Sequence, residues 1–229
     1  MRMIIGVRRI FRKTAAFILI ICTIFLVSTI YDNYKFTQAG MGGIEYRSFS
    51  DLMEMNPDIA AWIRIEGTNI DHPVVQGRDN YEYLGKDVNG NDYAGGSIFL
   101  DSGNSRNLSD NYIIIHGHHM SGGAMFGDLA NFCIEEFFNE HSEGELLTPD
   151  SKYDLTIVGA AVEDAYDGNV YYTDPDRRPL ELLETCSITR AADFEENDKL
   201  VALSTCFGDM SNKRTVIFAR ARYAGRNNQ

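Results

Sequence analysis

The sequence predicts a mainly β domain, barrel-like or a sandwich, held outside a membrane by one N-terminal helix. Three observations carry that expectation. Beyond residue 57 the chain is a succession of short apolar runs of strand length, divided by polar, glycine-bearing turns. Only a few helix-like stripes are interspersed among them, with no internal repeat. Near the start, an uncharged apolar run is long enough to cross a bilayer as a helix.

That run extends from Thr14 to Tyr31, TAAFILIICTIFLVSTIY. Four basic residues, Arg8, Arg9, Arg12 and Lys13, sit just before it and favour a cytoplasmic N-terminus. TQA at 37–39 faintly resembles a cleavage site, but the apolar run exceeds the usual signal-peptide core of roughly 7–15 residues. The expected organisation is therefore a basic cytoplasmic tail at 1–13, an anchor at 14–31, a polar stalk at 32–48, an external domain at 49–224 and a short tail at 225–229. That organisation is the one expected of a single-pass type II membrane protein with its catalytic domain extracellular.

Composition narrows the function. The 229 residues are 44% hydrophobic and 11% aromatic, enough for a folded core rather than a disordered chain. Residues 1–31 hold five basic and no acidic side chains. The rest carries 16 basic against 33 acidic ones, a net of −17. Such a surface repels phosphate backbones, so no nucleic-acid partner is expected.

The elements follow in order. Ser50 is placed to cap a short helix through Met55, with Glu54 near capping-box spacing, and Pro57 suits the turn or short helix that follows. AWIRIEG alternates as a strand, and Gly67 with Asn69 turn the chain into the extended IDHPVVQ. SIFLD (97–101) and NYIIIHG (111–117) are further strands. GDLANFCIEEFFNEH has apolar residues at 129, 133, 134, 137 and 138, the stripe of one helix. DLTIVGAAVED (154–164) returns to strand character, and a short amphipathic helix is expected at about 180–186. KLVALSTC and RTVIFARAR close the chain as a strand pair.

Of four cysteines, Cys22 lies in the apolar run, and Cys133 and Cys186 read as small buried apolar residues. A Cys133–Cys186 disulfide is possible outside the membrane, although spacing alone does not pair them. Cys206 stands apart. If KLVALSTC ends at Cys206 and the next strand starts near Arg214, the connection 207–213 sets a thiol beside a guanidinium. Arg stays charged and can steady a thiolate or the oxygen of a carbonyl under attack.

HGHHM at 116–120 holds three of the five histidines. A thiol nucleophile needs a proton carrier, and the imidazole of His118, just past a strand end, suits that task near neutrality. His116 and His118 also have the i, i+2 spacing of strand-borne metal ligands. No recognisable motif fixes a third ligand, and a metal would leave Cys206 and Arg214 without a task. His116 is expected to pack. The acidic residues form no EF-hand loop, so neither a metal nor another cofactor is expected.

The ordered motifs NPDIAAWIRIEGTNIDHPVVQ, GSIFLD, IIIHGHHMSGGAMFGDL and ALSTC followed by Arg214 resemble the class B sortases, Gram-positive surface transpeptidases, over roughly residues 49–222. The usual TLxTC reads ALSTC here, with Ala202 in the Thr position. The resemblance implies an eight-stranded sortase-type β-barrel with N-terminal helices and a helix in the loop before the cysteine strand. It maps the catalytic residues to His118, Cys206 and Arg214. It implies a groove with the 180–186 helix as one wall, lined by Tyr166, Tyr171 or Tyr172, and with Ser204 on the same strand face as Cys206. The implied partners are secreted proteins bearing a C-terminal sorting signal of the N-P-x-T or S-P-x-T type, and an amine of the peptidoglycan precursor. A pilus-polymerising sortase, a thiol peptidase and a non-enzymatic surface binding module are the rival readings.

Overall fold

The computed structural model describes residues 48–206 and 212–227 of the C-terminal unit, and residues 19 and 21–24 of a separate N-terminal unit, Met1–Ala39. Among the described residues no helix is long and apolar enough to cross a membrane. The expected basic tail, most of the anchor and nearly all of the stalk lie outside them, as do the hairpin loop 207–211 and the last two residues.

Helix α1 (Phe49–Met55) opens the domain. Strands β1 (Ile59–Ile65), β2 (Asp71–Val75), β3 (Ile98–Leu100) and β4 (Tyr112–His116) follow. A 3₁₀ segment (Gly127–Cys133) and helix α2 (Glu135–Glu140) lead to β5 (Glu143–Leu147) and β6 (Ser151–Asp164). A further 3₁₀ segment (Leu180–Thr185) precedes β7 (Ile188–Thr189), β8 (Lys199–Cys206) and β9 (Lys213–Arg226).

Eight strands close a ring in the order β5-β1-β2-β3-β4-β8-β9-β6, sealed by the β5–β6 pairing. The two-residue β7 is a spur on β6, opposite Gly159 and Ala160. The β2–β3 and β4–β8 pairs are parallel and the others antiparallel, so the barrel is mixed. The expected eight-stranded barrel is thus what the chain forms.

Its interior is filled by side chains from all eight ring strands, among them Ile63, Val74, Ile98, Ile115, Leu146, Ile157, Leu203 and Ile217. Phe126, Leu129, Phe132 and Phe138 from the segment after β4 complete this cluster. Along β4, Ile113 and Ile115 point inward, while Tyr112 and Ile114 join Leu200, Ala202 and Phe218 in a second cluster outside the ring. The 165–198 connection covers that outer face through Val170 and Leu182. Both faces of these central strands are therefore buried, which explains why NYIII and LVAL are continuous apolar runs rather than alternating ones. On the other side α1 buries Phe49 and Leu52 against Ile59, Trp62 and Phe99.

The helices differ from expectation in three places. The cap of α1 is Ser48, whose hydroxyl accepts from the Asp51 amide at 3.3 Å, because the helix must begin early enough to bury Phe49. The stripe at 127–140 is broken at Ile134, whose backbone is extended, so it yields a 3₁₀ segment and a separate α2. Phe132 and Phe138 then face the core while Ile134 is 58% exposed. The segment at 180–185 is 3₁₀ rather than α-helical, being only six residues long with Pro179 at its N-cap.

These placements give contrasting expectations. Leu203→Ala should lower unfolding free energy by about 2–5 kcal/mol, as a cavity in a filled barrel does. Ile134→Ala should cost less than about 0.5 kcal/mol. Urea titrations of the two variants check both.

Candidate active site

The site grows from two strand pairings. In the parallel β4–β8 pair His116 stands opposite Ser204, and the ladder runs one step further, with the Gly117 amide donating to the Ser204 carbonyl at 3.1 Å. His118 lies two positions past His116, just beyond the end of β4, and Cys206 lies two positions past Ser204 at the end of β8. In the antiparallel β8–β9 hairpin the register partner of Cys206 is Arg214. The three expected catalytic positions, far apart in sequence, thus meet at one end of the barrel.

A cleft of about 350 Å³ opens there, lined by the side chains of His118, Arg214, His116, Ser204 and Tyr171, among others. One wall is the loop between β2 and β3, through Asn80, Tyr81 and Leu84. The opposite wall comes from the connection after β6, through Ala165 and Tyr171. The 180–185 segment does not line this cleft; its Leu182 packs on the outer cluster instead.

His118 is partly exposed, and its Nε2 lies 2.7 Å from the Leu84 carbonyl oxygen. Its own carbonyl accepts from the Phe126 amide at 3.0 Å, which ties the glycine-rich turn to the strand end. Arg214 donates from Nη1 to the Lys213 carbonyl at 3.1 Å. Ser204 is 2% exposed, and its hydroxyl shares a 2.9 Å hydrogen bond with the Tyr171 phenol.

His116 does pack, as expected, between the rings of Phe99 and Tyr171. It also makes a bond that sequence reasoning missed, with Nε2 2.8 Å from Asp101 Oδ2. Asn80 Nδ2 donates to the same oxygen at 2.8 Å. Asp101 immediately follows the β3 apolar run, a weak signal for a residue at the barrel rim, whereas Asn80 and the Leu84 carbonyl leave no mark in the sequence.

Burial and hydrogen bonding shift several groups in and around the cleft. Burial pushes the Asp101 carboxyl up, but the hydrogen bond and charge of His116, with the Gly103 amide and Asn80, outweigh it and hold the group below its ordinary value. Burial pushes the Tyr171 phenol up to about 12 against the opposing Ser204 bond and Arg214 charge, so it stays neutral near pH 7. Cys186 is pushed up to about 12 by burial and then by Glu163, and burial also raises Cys133. Both are inert thiols, and both are free, so the possible disulfide between them is not formed.

Tyr166 is 82% exposed on the turn after β6 and is not among the residues lining the cleft. His141 stacks on Phe137 and His72 is buried away from the cleft. Among the described residues no three His, Cys, Asp or Glu side chains converge on a common point as a metal set would.

A sequence profile of the sortase domain matches residues 63–222. Sortase B of Staphylococcus aureus is 31% identical over 180 residues, 75% of this chain and 73% of that protein. Among solved structures, Clostridium perfringens sortase B superposes with a TM-score of 0.69 at 34% identity, over 76% of this chain and 99% of the other. A Staphylococcus aureus sortase B–substrate complex gives a TM-score of 0.69 at 28% identity, over 77% of this chain and 85% of the other. The fold is that of the sortases, a family of cysteine transpeptidases. The chain belongs to the sortase family and is of the sortase B type.

The Asp101 carboxyl supplies a pH test. A group whose folded value lies below its ordinary 3.8 stabilises the fold fully above that pH and loses the effect as pH falls through the folded value. Asp101→Asn should therefore be less stable than wild type near neutrality and should show a flatter decline between about pH 4 and about pH 2. Paired urea midpoints across that window check the sign.

Proposed function

We propose that this protein is a membrane-anchored transpeptidase that cleaves a sorting signal of secreted proteins and joins them to a cell-wall amine, with Cys206, His118 and Arg214 as its catalytic residues. The observation that carries the assignment is the register of the β8–β9 hairpin, which sets Cys206 opposite Arg214 at the mouth of a cleft that His118 also lines.

The Cys206 sulfur, as thiolate, attacks a backbone carbonyl carbon of the signal. Charge gathers on the carbonyl oxygen, where a guanidinium that cannot deprotonate stabilises it; Arg214 fills that role. Collapse breaks the C–N bond, and His118 gives its proton to the departing amine, leaving a thioester on Cys206. An acceptor amine then attacks the thioester, His118 takes up the proton it sheds, and a new amide forms as the C–S bond breaks and the Cys206 thiolate is released. Acyl energy passes from one amide to another, so no nucleotide is consumed.

The cleft suits an extended peptide. It is open along the rim, with Ser204 and the His116 ring as floor and the loops 77–96 and 165–171 as walls, Tyr171 of the second bonding Ser204. A substrate complex of a relative with the same fold supports a peptide signal as the occupant, and the N-P-x-T or S-P-x-T type is the class to test first. The peptidoglycan precursor amine is the proposed acceptor. The uncharged run at 14–31, preceded by basic residues, supports a type II anchor with the domain outside the cell.

Incubation with a library of signal peptides, followed by mass spectrometry, should reveal a thioester on Cys206 and, when an amine is added, an amide product. Cys206→Ala should abolish both. Arg214→Ala and His118→Asn should each slow turnover by at least about 100-fold. Acylation at another residue, or full turnover without the Cys206 thiol, would refute the assignment.

A further inference from the structure

The bond between His118 and the loop before β3 has a consequence for which nitrogen moves the proton. A carbonyl oxygen can only accept, so the 2.7 Å contact with Leu84 requires a proton on His118 Nε2. That holds for both the neutral and the charged ring. The proton that comes and goes is then the one on Nδ1.

The acceptor itself is held in place. Leu84 donates its amide to the Tyr81 carbonyl at 3.2 Å, Tyr93 donates to Gly85 at 2.9 Å, and Ser97 donates to Tyr83 at 3.0 Å. The Tyr83 phenol anchors the same stretch, donating to Asp58 at 2.8 Å and accepting from Asn56 at 2.9 Å. Gly96 completes the arrangement. Its φ is +59°, and a Cβ there would lie 2.6 Å from the Leu84 carbonyl oxygen, 2.9 Å from that of Tyr83 and 3.0 Å from His118 Cδ2. The glycine leaves open the space in which carbonyl and imidazole meet.

We infer that the Leu84 carbonyl, kept in reach by Gly96, is the positioning group for His118, fixing the Nε2–H tautomer so that Nδ1 exchanges the proton with the reacting groups. It does what an orienting carboxylate does for histidine in other acyl-transfer sites, with a neutral dipole in place of a charge. The inference rests on the assignment of His118 as the proton carrier.

The test is long-range ¹⁵N–¹H correlation spectroscopy of the full chain labelled with ¹⁵N-histidine, with His118→Asn used to assign the signals. The expected neutral His118 carries its proton on Nε2 and has a bare Nδ1. Gly96→Ala should mix the two tautomers and lower kcat on the order of tenfold, with KM within about twofold. A neutral His118 protonated on Nδ1 in the wild-type protein overturns the inference, and that spectrum needs no variant to fold. A folded Gly96→Ala protein with unchanged tautomer and kcat overturns it too. The tautomer is read independently of turnover, so failure of the tether is distinguishable from failure of the catalytic assignment, which would show as full activity in His118→Asn.

Discussion

Parallel pairing of β4 with β8 is the constraint on which the site depends. It joins strands almost ninety positions apart, and the intervening chain must supply a capping segment, a long hairpin and the outer cover before it returns. Loop closure over such a length is costly, so the pairing has to be secured by burial and specific bonds. Both faces of the two strands are buried, and a slip of one residue would turn every inward side chain out. The end remote from the cleft also fixes the register. Lys199 Nζ donates to the Ser109 and Asp110 carbonyls at 2.9 and 2.8 Å, and the Leu200 amide donates to the Asn111 carbonyl at 2.9 Å. Burial lowers the pKa of this lysine, so it is held by its acceptors rather than by water.

The same register explains how two histidines of one motif come to differ. Positions 116 and 118 both border the cleft, yet each ring meets a different acceptor. His116 lies against the carboxylate of Asp101 and between two aromatic rings, a setting that immobilises it. His118 meets a backbone carbonyl on a loop that closes over it and stays partly exposed. Across the cleft the Tyr171 phenol is kept neutral and bonded to Ser204. Ionisable chemistry is thereby confined to few groups in a domain whose overall charge is strongly negative. Arg214 adds a positive charge to the lining of the cleft.

What the sequence disclosed follows from how each feature is encoded. Strands with both faces buried give short apolar runs bounded by turn residues, as in NYIII and LVAL, and the spacing of Cys206 and Arg214 suited a hairpin that pairs them. Helical segments were harder. The stripe at 127–140 is helical in period, but the chain breaks at Ile134 because Phe132 and Phe138 must both reach the barrel mouth. A six-residue segment after Pro179 has too few bonds to prefer α over 3₁₀. Ser48 and Ser50 are equivalent to a pattern search, and the burial of Phe49 chooses between them. Tyr166 and Tyr171 look alike in sequence as well. The Tyr166 amide donates to the Asp164 carboxylate in a tight turn, leaving its side chain in solvent, whereas Tyr171 reaches back to Ser204. A backbone acceptor such as Leu84 has no side-chain signature, so the tether on His118 lay beyond any motif.

An eight-stranded barrel of this kind has an interior just wide enough for its own side chains, and here they fill it. A peptide therefore cannot enter the barrel, and any reaction must take place at the rim where strands end. The floor of the cleft consists of strand residues whose neighbours are core, so it cannot vary without disturbing the fold. The walls come from the connections 77–96 and 165–171, through Asn80, Tyr81, Leu84, Ala165 and Tyr171. Solved structures at 28–34% identity share this fold, with TM-scores of 0.69. The Leu84 tether crosses that divide, because it makes a wall loop responsible for the orientation of a histidine on the floor.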